Sequence, residues 1–99
     1  ELLHKDIFET ELLVDFKSKQ SIEEKEVLLV ISVENGKDKI KYVSIPLMYS
    51  SSEKDWKQTK ATTRFSSEIP DSAIIKMYIW NRGRKQLIIK NLEATITSY

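Results

Sequence analysis

The residues best equipped for chemistry in this chain lie near its end: Tyr78, Trp80, Arg84 and Gln86. A flat aromatic ring can lie against the C–H face of a sugar, while an arginine or glutamine beside it hydrogen-bonds the hydroxyls. That pattern points to binding rather than turnover. The same residues also fit a packing role, with Trp80 in the core or under a loop and Arg84 stacked on its ring as a cation–π pair. Tyr49 and Trp56 flank a polar stretch, Ser50-Ser51-Ser52-Glu53-Lys54-Asp55. Loops at the ends of layered β-folds often carry ligands, but Trp56 opens a strand and is expected to serve as a packing anchor.

Catalytic constellations are missing. His4 is the single histidine, and a general base needs a positioned partner. With no cysteine there is no thiol nucleophile, no disulfide framework and no Cys-ligated zinc. Fifteen acidic residues are present, but a glycosidase needs two carboxylates about 5–10 Å apart in a cleft. The two glycines, Gly36 and Gly83, are too far apart for a phosphate-cradling loop. The expectation is a protein that is not an enzyme and holds no cofactor and no metal. Sixteen Lys+Arg against 15 Asp+Glu leave a net charge of +1, which argues against a nucleic-acid partner. Lys37, Lys39 and Lys41 alternate with Asp38 and Ile40, too mixed for a phosphate track. The longest apolar run, Val27-Leu28-Leu29-Val30-Ile31, falls far short of the roughly 20 residues of a membrane-spanning helix. No membrane insertion by this segment is expected.

What positions these side chains is a β-framework. Twelve Ile, 5 Val and 6 Thr favour pleated strands, and apolar residues alternate at period two. Six strands are expected at 5–17, 25–34, 39–47, 56–65, 73–81 and 85–98, forming one antiparallel β-sandwich domain over 1–99. Asn35-Gly36 marks a tight hairpin between the second and third. That turn is expected to place Leu29, Ile31 and Val33 on a face with Ile40 and Tyr42, and Leu28 and Val30 with Val43 and Ile45. The pair should lie centrally, with Tyr42 in the core. The fourth strand, rich in Thr and Lys, reads as an edge, and Pro70 then breaks the ladder. Residues 1–4 read as a tail, and the absence of an initiating Met suggests a piece of a larger protein.

In the last third, Asn81-Arg82-Gly83 suits a hairpin turn with Gly83 in the left-handed region. In that register Ile75 opposes Ile89 and Met77 opposes Leu87, while Tyr78 meets Gln86 and Trp80 meets Arg84. The parity of Leu92, Ala94 and Ile96 then calls for a bulge near Lys90-Asn91, whereas a four-residue loop would avoid the bulge but put Lys90 opposite Ile75.

The run Ile69-Pro70, Ile75-Lys76-Met77-Tyr78-Ile79-Trp80-Asn81-Arg82-Gly83 and Ile88-Ile89-Lys90-Asn91-Leu92-Glu93 resembles the end of a galactose-binding-like jelly roll, as found in carbohydrate-binding modules and related accessory domains. Trp56-Lys57 followed by a polar strand fits the same order. The resemblance implies a non-catalytic accessory domain of an extracytoplasmic protein, with a glycan or a neighbouring protein domain as partner. Many relatives carry an acidic pair where this chain has Lys90-Asn91, and a lysine there opposes a structural calcium. An immunoglobulin-like or fibronectin-III-like sandwich is the fold alternative. A purely structural or protein-contact module is the functional one.

Overall fold

The computed structural model describes residues 7–50, 52–66 and 72–98. His4, the 1–4 tail and the break around Pro70 lie outside these residues. Among the described residues there is no helix, and six strands follow in order: β1 (Ile7–Ser18), β2 (Val27–Asn35), β3 (Asp38–Pro46), β4 (Lys57–Ser66), β5 (Ile74–Asn81) and β6 (Leu87–Ser98). They form two antiparallel three-stranded sheets, β4-β1-β6 and β3-β2-β5.

The two sheets are joined through side chains that alternate toward a shared interior. Leu12, Val14 and Phe16 of β1 meet Val27, Leu29 and Ile31 of β2, with Ile22, Leu47, Tyr49 and Ala61 completing the cluster. Each fully buried Leu, Ile, Val or Phe contributes roughly 1.5–3 kcal/mol relative to exposure. β4 lies against β2 and β3, and Lys41 of β3 donates to the Arg64 carbonyl of β4. Ile22 and Tyr49 exchange backbone hydrogen bonds of 2.8 and 3.1 Å, tying together the segments that leave β1 and β3.

All six expected strands are present, and β4 is the edge the sequence suggests. β2 is central, and from Val27 to Val33 it is buried on both faces. Its hairpin partner is not: β3 is an edge strand. The expected facing of this hairpin is also reversed. Asn35 pairs with Asp38 around a two-residue turn, Gly36-Lys37, in which Gly36 has a positive φ of 63°. The register shifts between Val33 and Glu34: Glu34 pairs with Lys39 but Val33 with Lys41, so Ile40 is the extra residue. One extra residue flips everything beyond it. Val43 and Ile45 therefore join Leu29 and Ile31 at the core, and Tyr42 turns outward.

The β5–β6 hairpin is corrected as well. β5 pairs with β2 and β6 with β1, so Ile75 does not oppose Ile89 and Met77 does not oppose Leu87. The connecting residues cross from one sheet to the other. Asn81 brackets this crossover: its side chain donates to the Lys85 carbonyl at 2.8 Å and accepts from the Lys85 amide at 2.9 Å. Gly83 serves close approach rather than positive φ, which falls on Arg84 at 53° instead. The Gly83 amide donates to the Glu26 carbonyl at 2.8 Å, and a Cβ on Gly83 would lie 2.9 Å from that of Glu26. The bulge expected near Lys90-Asn91 is present, but against β1: Asp15 pairs with Asn91 and Phe16 with Ile89, leaving Lys90 extra.

Candidate functional site

Because Val27, Leu29, Ile31 and Val33 point inward, Leu28, Val30, Ser32 and Glu34 point to the outer face of the β3-β2-β5 sheet. Register then assigns the neighbours. Leu28 lies between Pro46 and Trp80, Val30 between Ser44 and Tyr78, and Ser32 between Tyr42 and Lys76. Rows two residues apart along a strand are about 7 Å apart, and neighbouring strands are about 4.8 Å apart. Trp80 and Tyr78 thus form adjacent steps on one edge, with Tyr42 diagonally across the sheet.

These rings are accessible: Trp80 is 46% exposed, Tyr42 41% and Tyr78 39%. Beside them Val30 and Ser32 have no exposed surface. The face therefore presents aromatic rings and long side chains that cover Val30 and Ser32 of β2. The Arg82 guanidinium lies 4.8 Å from the Trp80 ring centroid, and Lys39 lies 4.6 Å from that of Tyr42. Such cation–π contacts orient the rings.

The other end of the face is polar. The Ser32 hydroxyl donates to Glu34 Oε2 at 2.8 Å, and Lys76 Nζ lies 3.0 Å from Glu34 Oε1. The Ser32 hydrogen bond, reinforced by Lys76, holds the Glu34 carboxyl below its ordinary value. Glu34 is thus a charged acceptor, and Lys76 a charged donor, next to the aromatic rows.

Of the four residues singled out in the sequence, Tyr78 and Trp80 share this face. Arg84 and Gln86 belong to the crossover that leaves it, so the expected Tyr78–Gln86 and Trp80–Arg84 pairs do not form. Arg84 is exposed, and the Gln86 amide donates to Gln20 Oε1 at 3.0 Å. The cation on Trp80 is Arg82, two residues before the one expected. Sequence reasoning missed Tyr42, Ser32, Glu34 and Lys76 as members of the face. Lys76 was signalled by its parity with Tyr78 and Trp80, whereas Tyr42 depends on the bulge at Ile40.

No protein-family model, curated protein or solved structure matches the chain.

Other sequence candidates fall elsewhere. Tyr49 is buried against Phe16, ring centroids 5.9 Å apart, and its hydroxyl donates to the Asp55 carbonyl at 2.9 Å. Burial raises its pKa. Trp56 is exposed rather than a packing anchor, and its ring is flanked by Lys17 at 4.9 Å and Lys90 at 5.5 Å. Among the described residues no three His, Asp or Glu side chains group as metal ligands would, and no helix is long and apolar enough to cross a membrane.

Proposed function

We propose that this chain is a non-catalytic accessory β-sandwich domain that binds a glycan on the outer face of β3-β2-β5. The observation that carries the reading is the exposure of Trp80 and Tyr78 on one face, two residues apart, beside Arg82, Lys76 and Glu34. An apolar ring face takes up the C–H side of a sugar, and charged donors and acceptors nearby select its hydroxyl pattern. A packing role would bury both rings. The jelly-roll, galactose-binding-like type and an extracytoplasmic location are part of the proposal. They rest on the resemblance carried by Trp56-Lys57, Ile69-Pro70 and the run from Ile75 to Glu93. The fold supports the jelly-roll reading through first and last strands that are antiparallel neighbours and through four of five connections that pass between sheets.

The test is a glycan array probed with the 99-residue chain, followed by titration of the best oligosaccharide. The expected result is saturable binding that Trp80→Ala and Tyr78→Ala each abolish. Absence of binding to every plant, microbial and animal glycan class tried would overturn the reading.

A further inference from the structure

β6 lies in the other sheet, outside the proposed glycan site. Leu92, Ala94 and Ile96 are in register with Val14, Leu12 and Thr10, all fully buried or nearly so, and therefore point to the interior side of their sheet. Even so, Leu92 is 49% exposed, Ile96 53%, and Ala94 is exposed. The reason is position. β6 pairs with β1 only, so one edge of its backbone is unpaired among the described residues, and the interior is open on that side. β3 and β4, the edges on the closed side, carry Lys39, Lys41 and Pro46, and Lys57, Lys60 and Arg64. Lysines and proline discourage strand addition. From Asn91 to Ser98, β6 has one charged residue, Glu93, and no proline or lysine.

We propose that β6 pairs antiparallel with β6 of a second copy of this chain. The sequence is self-complementary in one register. With Ala94 opposite Ala94 of the second copy, Leu92 faces Ile96 and Glu93 faces Thr95, so apolar residues meet on the interior side and no like charges oppose. Centring the pair on Glu93 instead would oppose two carboxylates. A two-fold axis through Ala94 repeats every contact, as an isologous dimer requires, and sets the two open seams facing each other. A net charge of +1 leaves little repulsion between copies.

Because the chain has no cysteine, single cysteines can report this register. Opposed residues in an antiparallel pair have Cα atoms about 4.5–5.5 Å apart, within disulfide range. Ala94→Cys should therefore cross-link to itself under mild oxidation at least about tenfold faster than Glu93→Cys or Thr95→Cys, whose self-distances would be about 8 Å. Sedimentation of the unmodified chain should give a dimer. Leu92→Glu with Ile96→Glu should give a monomer, and Leu92→Glu with Ile96→Lys should restore the dimer by opposing unlike charges. A monomeric wild type overturns the proposal and leaves the edge to a strand from another polypeptide. A dimer without preferential cross-linking at Ala94, or without charge-swap rescue, overturns it equally.

Discussion

Replacing Trp80 by alanine separates a ring that faces ligand from one that holds the fold. Full truncation of a buried Phe or Trp costs about 3–5 kcal/mol. Trp80 is 46% exposed, so roughly half of that cost applies, or about 2 kcal/mol. For a domain of this size each kcal/mol moves the thermal midpoint by about 4–8 °C, giving an expected drop of about 8–16 °C. Phe16→Ala provides the reference: Phe16 has no exposed surface and should lose the full amount. Differential scanning calorimetry of both variants, paired with titration of the glycan, reads stability and binding on one sample. The expected outcome is a folded Trp80→Ala domain with partial loss of stability and complete loss of binding. A loss equal to that of Phe16→Ala would show Trp80 to be a core residue, and retained binding would refute the assignment of the face.

Three further perturbations probe the framework. Gly83→Ala forces a Cβ to within 2.9 Å of the Glu26 Cβ at the crossover and should cost about 1–3 kcal/mol in chemical denaturation. An unchanged midpoint would mean that the crossover does not pack on Glu26. Thr10 is fully buried, and its hydroxyl has no hydrogen-bond partner among the described residues. Thr10→Val should therefore raise stability by about 1 kcal/mol, whereas a loss would reveal a partner for the hydroxyl. The Glu26 carboxylate is stabilised by the Glu23 amide and by Lys85, and that of Glu34 by the Ser32 hydroxyl and by Lys76; both have lowered pKa values. Their contribution is present above the unfolded glutamate pKa of about 4.3 and is lost as pH falls through the lower folded values. The acid limb of a stability profile should accordingly flatten in the Glu26→Gln, Glu34→Gln double variant, and an unaltered limb would contradict the linkage.

Strand content was legible because branched side chains and period-two alternation are local properties. The turn at Gly36, the edge character of β4 and the bulge at Lys90 were equally local. Sheet partnership was not. Asn81 to Gln86 is short enough to read as a hairpin, yet it crosses between sheets because Asn81 grips Lys85 and Gly83 binds the backbone of Glu26. The second of these contacts spans most of the chain and leaves no periodic trace. The facing of β3 is hidden from the sequence for a related reason: a single extra residue at Ile40 reverses it, and Val43 and Ile45 then gain burial that Ile40 and Tyr42 forgo. At the candidate site, Tyr78 and Trp80 were visible from parity within one strand. The remainder of the face needed the pairing of three strands.

The most direct measurement is an NMR titration of the isotope-labelled chain with the oligosaccharide that responds best on the array. Saturable shifts are expected at the Trp80 indole N–H, the Tyr78 and Tyr42 rings and the Leu28 methyls, with those of Phe16 and Trp56 unmoved. Shifts centred on Trp56 and the outer side of β4-β1-β6, with Trp80 silent, would contradict it.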